Sequence, residues 1–322
     1  DFINHRGPDA RNFYSGKDIL FGHARLRILD LDPRADQPFF CNDRTTVIIF
    51  NGEIYNFNKL KDKIPEYEFK TNCDTEVILA AYKKWGVQCL KYFNGMFSFV
   101  IYDFKKRLAF GARDRFGIKP FFYTIKNKQF AFSSEIKGLI PFIKNLKPNK
   151  NIITDYLYDL EFETKNETFF KDVFQLMPSQ YFVLDSRRLT INKYYNLNSK
   201  SENNNLTFDE AASELKSLLI KSIKRRVQSD VPVGLYFSGG IDSTSLGLCI
   251  KNVLPNTSMK SFTAVSEKVT DQEKNYILNV AKELELNNKI ISTKSLKKNT
   301  LLKKLMWHME MPFAPSNILD DY

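Results

Sequence analysis

The stretch Val233-Gly-Leu-Tyr-Phe-Ser-Gly-Gly-Ile-Asp-Ser-Thr-Ser245 decides how the second half of the chain folds. Every second residue from Val233 to Phe237 is apolar, which predicts a buried strand. Two glycines after Ser238 permit a sharp turn and a close approach of the backbone to a ligand. The apolar segment that follows predicts a helix. A strand, a small polar loop and a helix N-terminus together form an anion site, so the stretch predicts phosphate binding.

The type of phosphate loop follows from its residues. The sequence has no Gly-x-x-x-x-Gly-Lys-Ser/Thr and no Gly-x-Gly-x-x-Gly at a strand end, which argues against the common nucleotide loop and a dinucleotide fold. Ser238-Gly-Gly-Ile-Asp-Ser243 resembles the pyrophosphate loop of ATP pyrophosphatases. The resemblance implies cleavage of ATP between the α and β phosphates. Asp242 would hold Mg²⁺, which prefers one or two carboxylates plus phosphate oxygens.

Length and cysteine usage set the broad class. The 322 residues exceed one ordinary core and predict two domains. No apolar run is long enough to cross a membrane, and the first residues show no signal pattern, so we expect no membrane partner. Four cysteines without paired spacing indicate reduced thiols and a cytoplasmic protein; they are Cys41, Cys73, Cys89 and Cys249.

The formal net charge of +11 raises the question of nucleic-acid binding. Most lysines are scattered among acids, which is typical of solvated faces. The densest cluster, Lys294 to Lys304, has leucines at helical spacing and predicts an amphipathic helix. Anionic ATP accounts for some local positive charge, so we expect no nucleic-acid partner.

The first half of the chain is rich in short strands and tight turns. These predict an antiparallel core flanked by helices. Arg25 follows one predicted strand, and Asn51-Gly52-Glu53 follows another, where functional groups are often displayed. Asp74 begins a predicted helix. Asn51-Gly52 also fits a simple turn, and Asp74 also fits a plain N-cap or first-turn acid.

The order of short motifs in this half resembles the glutamine amidohydrolase domain of asparagine synthetases. The motifs are His5-Arg-Gly-Pro-Asp9, His23-Ala-Arg-Leu26, Asn51-Gly-Glu-Ile-Tyr-Asn56, Cys73-Asp-Thr-Glu-Val-Ile-Leu79, Gly95-Met-Phe97, Ala112-Arg-Asp114 and Ser134-Glu-Ile-Lys137. With the pyrophosphate loop, the resemblance covers essentially the whole chain. It implies an α+β N-terminal-nucleophile amidohydrolase sandwich, with antiparallel β layers flanked by helices, followed by an α/β parallel-sheet ATP pyrophosphatase domain.

The resemblance also implies roles in glutamine hydrolysis. Arg25 would bind the α-carboxylate of glutamine, and Glu53 and Asp74 would hold its α-amino group. Asn51 and Gly52 would form the oxyanion hole. These roles suit the side chains, because a guanidinium pairs with a carboxylate and amide N–H groups stabilise a tetrahedral oxyanion.

The family's nucleophile is a cysteine at the start of the mature chain, whose own α-amine serves as the base. Residue 1 here is Asp1, and the four cysteines lie inside the chain, where none has a free α-amine. We therefore expect that a first segment precedes Asp1. We likewise expect a further strand and loop of the ATP site after Tyr322.

The expected domain limits are 1–185 for the amidotransferase and 207–322 for an incomplete ATP-binding domain, with a polar linker at 186–206. Thr207-x-x-Glu210 predicts a capping box at the start of the second domain. The implied ATP-binding residues are Phe237, Ser238, Gly239, Gly240, Asp242, Ser243 and Ala264. Glu310 is either an acid of the acceptor pocket or a surface acid.

The sequence thus predicts a glutamine-dependent asparagine synthetase-like ligase that uses ATP and Mg²⁺. It would take glutamine and aspartate, and the resemblance admits a homodimer. One alternative is the same chemistry on another acceptor, such as a cell-surface sugar acid or a peptide carboxylate. A second alternative is a non-catalytic nucleotide- or glutamine-binding protein.

Overall fold

The computed structural model describes residues 2–159, 164–186, 188–197, 206–255, 259–266, 269–293 and 298–313. The chain divides into two compact units, 1–199 and 200–322. Within the described ranges, no helix combines the length and the apolar character needed to cross a bilayer. All four cysteines have free thiols.

The first unit is built mostly from antiparallel strands. The strands are β1 (Ala10–Ser15), β2 (Leu20–Arg25), β3 (Phe39–Phe40), β4 (Thr46–Ile54), β5 (Gly95–Asp103), β6 (Leu108–Arg113), β7 (Phe122–Lys126), β8 (Gln129–Ser133), β9 (Phe174–Gln175), β10 (Gln180–Leu184) and β11 (Leu189–Lys193). The α-helices are α1 (Phe57–Lys61), α2 (Asp74–Trp85), α3 (Ile140–Ile143) and α4 (Lys150–Asp159). Short 3-10 helices span Asn4–Arg6, Pro33–Ala35, Gly86–Lys91 and Ile136–Leu139.

These strands form two antiparallel sheets and a hairpin. Over the described residues, the larger sheet has the order β11-β10-β6-β5-β4-β3 and the smaller sheet has the order β8-β7-β9. Strands β1 and β2 pair separately, with Ala10 opposite Arg25. The β4–β5 pair runs without a break from Thr46 opposite Asp103 to Ile54 opposite Gly95.

The side chains of the larger sheet enter two different cores because their direction alternates along each strand. On one face, Val47 and Val100 pack against Phe121 and Tyr123, so this core lies between the two sheets. On the opposite face, residues such as Ile48 pack against helix α2. The 3-10 helix Ile136–Leu139 covers the outer face of the smaller sheet. The unit is therefore a helix–sheet–sheet–helix sandwich, and the predicted fold class is confirmed.

Helix α2 begins at the position that the sequence predicts, but Asp74 is not its N-cap. Cys73 is the N-cap and makes no side-chain capping bond. The Asp74 carboxylate instead accepts the Ile54 N–H at 2.7 Å, which ties the start of the helix to the end of β4. Asp74 is therefore a first-turn acid, as one alternative predicts, whereas the N-cap alternative is wrong; its carboxylate also links two elements.

The second unit is an α/β unit with a parallel sheet. Its elements are α5 (Phe208–Arg226), β12 (Gly234–Tyr236), α6 (Ile241–Val253), β13 (Lys260–Ser266), α7 (Asp271–Glu283), β14 (Asn287–Thr293) and α8 (Lys298–Met309). The strands pair in parallel in the order β12-β13-β14. The predicted capping box is confirmed, because Thr207 and Glu210 exchange side-chain and backbone hydrogen bonds at the start of α5. The predicted basic helix begins at Lys298; residues 294–297 lie outside the described residues.

The segment 186–206, predicted as a linker, contains strand β11. Backbone pairing from Gln180 opposite Lys193 to Leu184 opposite Leu189 makes it the edge strand of the larger sheet. Its polar composition suits an edge, where one side of the strand meets solvent. The first unit consequently extends past residue 185 to about residue 199. Residues 187 and 198–205 of the predicted linker lie outside the described residues.

Candidate active site

A cavity of about 300 Å³ opens in the first unit, at the low end of the range for small-molecule sites, which is about 300–1,000 Å³. Its walls come from β2, β4, the start of α2 and the turn after β8. All five residues predicted to handle glutamine line it; they are Arg25, Asn51, Gly52, Glu53 and Asp74. Residues that lie up to 49 positions apart in the sequence (25 to 74) thus share one cavity.

Two neighbouring carboxyl groups give this cavity its acidic side. Burial raises the pKa of Glu53 to about 8, and the charge of Asp74 contributes to the same shift. Burial also raises the pKa of Asp74, although the hydrogen bond from Ile54 N–H opposes that shift. Because two buried carboxylates repel each other, the pair holds a proton near neutral pH. A ligand cation would stabilise the fully ionised pair.

Asn51 and Gly52 lie inside β4, where they pair with Ser98 and Phe97 of β5, so the alternative of a simple turn after the strand is wrong. Gly52 has a φ of +151°, and a Cβ there would lie 2.1 Å from the Met96 carbonyl oxygen. The Asn51 side-chain amide donates to Ser134 Oγ at 3.4 Å. The Asn51 amide is thus oriented by one long hydrogen bond. At position 52, only glycine fits without moving the neighbouring strand.

Arg25 lies in the cavity wall with its guanidinium engaged by protein groups. One terminal nitrogen donates to Asp36 Oδ1 at 2.6 Å and to the Asp32 carbonyl at 3.3 Å. The other donates to the carbonyl oxygens of Leu29 and Asp30. The side chain therefore holds the loop that follows β2. In this conformation the structure does not offer Arg25's terminal nitrogens to a ligand, in contrast to the expected contact with a glutamine carboxylate.

Asp36 is the acid that the sequence reasoning missed at this position. Burial alone would raise its pKa, but hydrogen bonds from Arg27 and Arg25 outweigh that effect and hold the pKa below its ordinary value. The Asp36 side chain is 13% exposed and that of Arg25 is 6% exposed. No local sequence pattern identifies Asp36 as a site residue, because its partner Arg25 lies 11 positions away. Asp36 directly follows the 3-10 helix Pro33–Ala35.

His23 joins β2 to β4 beside the same cavity. Its Nε2 lies 3.0 Å from the Phe50 carbonyl oxygen, so this nitrogen carries the proton and donates. Burial lowers the pKa of His23 to about 4. The imidazole is therefore neutral at physiological pH and links the two strands through this hydrogen bond.

In the second unit, the loop between β12 and α6 has the conformation that its glycines predict. Gly239 has a φ of +73°, and a Cβ there would lie 3.0 Å from Ile277 Cγ1. Gly240 is the N-cap of α6 and makes no side-chain capping bond. The hydroxyl groups of Ser238 and Ser243 lie 3.2 Å apart across the loop. Two hydroxyl groups therefore lie beside the first N–H groups of a helix, which are the kinds of donor that bind phosphate in proteins.

The two glycines of this loop give a matched pair of substitutions. Gly239→Ala is expected to lower the free energy of unfolding of the second unit by about 1–3 kcal/mol, because it combines positive φ with a tight contact to Ile277. Gly240→Ala has an ordinary negative φ and only Ser238 Oγ at 3.4 Å, so it should change stability by less than about 1 kcal/mol. Urea unfolding followed by Trp307 fluorescence measures both. Equal losses would show that the loop does not depend on the positive φ of Gly239.

Asp242 lies exposed in the first turn of α6, close in sequence to the loop hydroxyl groups. A single carboxylate suits Mg²⁺ that takes its remaining ligands from phosphate and water. Across the described ranges, no group of three or more His, Cys, Asp or Glu side chains is arranged to hold a metal by itself. The donor set therefore fits a Mg²⁺ that arrives with a nucleotide.

The remaining predicted residues of the second unit are placed as follows. Phe237 directly follows β12, and its backbone N–H donates to the Phe262 carbonyl at 2.8 Å. Its carbonyl accepts the Thr263 hydroxyl at 2.6 Å. Ala264 is exposed on β13 next to Thr263, so these positions lie at the carboxyl ends of neighbouring parallel strands. Glu310 follows α8, where its N–H donates to the Met306 carbonyl, and its role stays a prediction.

Comparison with known proteins agrees with this two-part layout. Residues 1–195 match the glutamine amidotransferase domain family, and residues 214–320 match the asparagine synthase family. A glutamine amidotransferase domain is thus the class of protein that the first unit defines. The chain belongs to the glutamine amidotransferase domain family, and it is similar to glutamine-hydrolysing asparagine synthetases over nearly its whole length.

Three relatives show how far the similarity extends. The chain is 35% identical to a putative asparagine synthetase [glutamine-hydrolyzing] 2 of Methanocaldococcus jannaschii, over 97% of this chain and 64% of the relative. It is 33% identical to asparagine synthetase [glutamine-hydrolyzing] 1 of Bacillus subtilis, over 97% of this chain and 49% of the relative. It is 29% identical to the amidase chyE of Penicillium rubens, over 98% of this chain and 49% of the relative. The chain therefore spans about half to two thirds of the length of these relatives.

Proposed function

We propose that this protein is a glutamine-dependent asparagine synthetase that uses ATP and Mg²⁺. The observation that carries the proposal is the shared cavity of the first unit, where two carboxyl groups, an amide and a strained glycine converge. The Ser-Gly-Gly loop at the N-terminus of α6 supports it independently. We also propose a cytoplasmic location, which the free thiols support.

In the first reaction, water hydrolyses the glutamine amide to glutamate and ammonia. The Glu53 and Asp74 carboxylates would hold the α-ammonium group of glutamine. The Asn51 amide and the Gly52 N–H would stabilise the oxyanion that develops on the amide carbon. In the family that the first unit resembles, the nucleophile is a cysteine whose own α-amine serves as the base.

In the second reaction, a carboxylate of aspartate attacks the α-phosphate of ATP, which forms an acyl-adenylate and releases pyrophosphate. The loop Ser238–Ser243 would hold the departing pyrophosphate through its N–H and hydroxyl groups. Asp242 would hold Mg²⁺, which neutralises phosphate charge when it is bound. Ammonia then displaces AMP from the adenylate and forms asparagine.

The identity of the acceptor carboxylate is the part of the proposal for which there is a second candidate. One of the relatives is named an amidase and not an asparagine synthetase. Its name favours the same activation chemistry on a different carboxylate as the second candidate. Glu310, if it belongs to the acceptor pocket, would contact the acceptor's ammonium group.

The paired carboxyl groups predict a pH dependence of glutamine binding. Glu53, with a pKa of about 8, is largely protonated near pH 7 in the free protein. An ammonium group favours its ionised form, so binding releases a proton. The dissociation constant for glutamine should therefore fall as the pH rises from 6 to 8, by up to about tenfold per unit, and level off above 8. Calorimetry in buffers of different ionisation enthalpy measures both affinity and proton release.

The matched variants for this prediction are Glu53→Gln and Glu68→Gln. Glu53→Gln should bind glutamine more weakly and lose the proton release. Glu68 is exposed, so Glu68→Gln should retain the pH dependence of the unaltered protein. If proton release persists in Glu53→Gln, the proton comes from another group.

The direct test of the proposed function uses the full-length protein with glutamine, ATP, Mg²⁺ and aspartate. Glutamate, AMP, pyrophosphate and asparagine should form in equal amounts, measured by mass spectrometry. Ammonium chloride in place of glutamine should give asparagine without glutamate. If AMP forms only when a different carboxylate is supplied, that carboxylate and not aspartate is the acceptor. Absence of both glutamate and AMP with every acceptor would overturn the enzyme assignment.

A further inference from the structure

Strand β4 extends past its neighbour β3, and side chains take the place of the missing backbone partners there. Strand β3 pairs with β4 only at Val47 and Ile48. In an antiparallel sheet, successive residues point their N–H groups alternately toward one neighbouring strand and away from it. The N–H groups of Phe50, Gly52 and Ile54 therefore point to the same side of β4, away from β5, where β3 does not reach.

The outer two of these three N–H groups have side-chain acceptors. Gln37 Oε1 accepts the Phe50 N–H at 2.6 Å. Asp74 Oδ2 accepts the Ile54 N–H at 2.7 Å. Within the part of the chain that the structure describes, no group accepts the Gly52 N–H that lies between them. The donor proposed for the oxyanion is thus free, while the backbone on both sides of it is fixed.

The Gln37 side chain also connects the two acceptors of this strand edge. Its Nε2 donates to Thr75 Oγ1 at 3.3 Å, and Thr75 follows Asp74 in the first turn of α2. Gln37 is buried and lines the cavity. The amide is therefore engaged at its oxygen and at its nitrogen, which fixes its orientation. It holds the strand that carries the oxyanion donors to the helix that carries a buried acid.

We propose that Gln37 is a positioning residue for glutamine hydrolysis, whose side chain fixes the Gly52 N–H at the place where the oxyanion develops. This inference rests on the proposed glutaminase function. Gln37 acts through the backbone of β4 and not on the reacting atoms. A misplacement of about 1 Å in an active site can cost about 10²-fold in rate. Because the oxyanion exists only in the transition state, loss of Gln37 should lower the rate of hydrolysis and not the affinity for glutamine.

The test measures glutamate release by the full-length protein. Gln37→Met keeps the length of the side chain and removes the hydrogen bonds to Phe50 and Thr75. It should lower kcat by about 10- to 100-fold and leave KM within about threefold. Gln37→Glu retains an oxygen that accepts the Phe50 N–H and should recover most of kcat. Gln88→Met makes the matched change at an exposed position and should alter neither constant.

A further variant tests the inference if urea unfolding shows that Gln37→Met does not fold. Thr75→Val removes only the hydroxyl group that anchors the Gln37 amide. It should lower kcat in the same direction, with KM unchanged. Ammonia-dependent amide synthesis should persist in every variant, because it relies on the second unit.

The outcomes separate this inference from the function on which it rests. If the unaltered protein hydrolyses glutamine and Gln37→Met has the same kcat, the role of Gln37 alone is overturned. A rise in KM that matches or exceeds the fall in kcat also overturns it, because Gln37 would then shape the cavity for bound glutamine. A Gln37→Glu variant as slow as Gln37→Met contradicts the hydrogen bond to Phe50 as the cause. An unaltered protein that releases no glutamate overturns the glutaminase proposal together with this inference.

Discussion

Replacing Asp36 by alanine is expected to lower the free energy of unfolding of the first unit by about 3–5 kcal/mol, the loss typical of a broken buried ion pair. The Arg25 side chain is 6% exposed and would be left buried without its acid. Arg27, which also donates to Asp36, would lose its partner as well. Urea unfolding measures the change. Trp85 lies in the first unit and Trp307 in the second, so a Trp307→Phe background reports on the first unit alone.

Two comparisons make the Asp36 result specific. Glu66→Ala breaks an ion pair with Lys84, but Glu66 is 56% exposed, and the change should stay below about 1 kcal/mol. The double variant Arg25→Met with Asp36→Leu should be more stable than Asp36→Ala, since the buried Arg25 charge is removed with its acid and only the more exposed Arg27 loses its partner. If Asp36→Ala and Glu66→Ala unfold alike, the loop after β2 does not depend on the Arg25–Asp36 pair.

The parts of the fold that the sequence predicts well are those with a local cause. Runs of apolar residues in β4 and β5 predict strands, and the structure shows that the two faces of these strands enter two cores. Thr207 and Glu210 predict a capping box because both partners lie within one helical turn. Gly239 predicts a turn because glycine readily adopts a positive φ, and this tolerance does not depend on distant residues.

The parts that the sequence does not predict depend on distant partners. Strand β11 has a polar composition, and only its pairing with β10 identifies it as a strand. Asp36 and Arg25 are 11 positions apart, and nothing in the local pattern links them. Lys119 lies 66 positions from Glu53 (53 to 119), and both line the cavity because β4 and the turn after β6 meet there. For the candidate site, motif resemblance identifies the acids and the amide, but only the structure shows that Asp36 engages Arg25.

Gly52→Ala is expected to have the largest effect of any single substitution considered. The added methyl group would lie 2.1 Å from the Met96 carbonyl oxygen and 2.7 Å from Phe97 Cα. Both contacts are with the backbone of β5, which cannot rotate away as a side chain would. Combined with the positive φ, this overlap should lower the free energy of unfolding by at least about 3 kcal/mol. Urea unfolding followed by Trp85 fluorescence measures it.

The same substitution also probes the proposed oxyanion hole. Moving the Gly52 N–H should reduce glutamine hydrolysis by about 10²- to 10³-fold in molecules that remain folded, the usual effect of losing one such donor. Ammonia-dependent amide synthesis should be retained, because it relies on the second unit. Gly22→Ala, where no atom lies within 4 Å of the new Cβ, should leave stability unchanged. A Gly52→Ala protein that is stable and hydrolyses glutamine normally would mean that the β4–β5 contact relaxes and that the oxyanion is stabilised elsewhere.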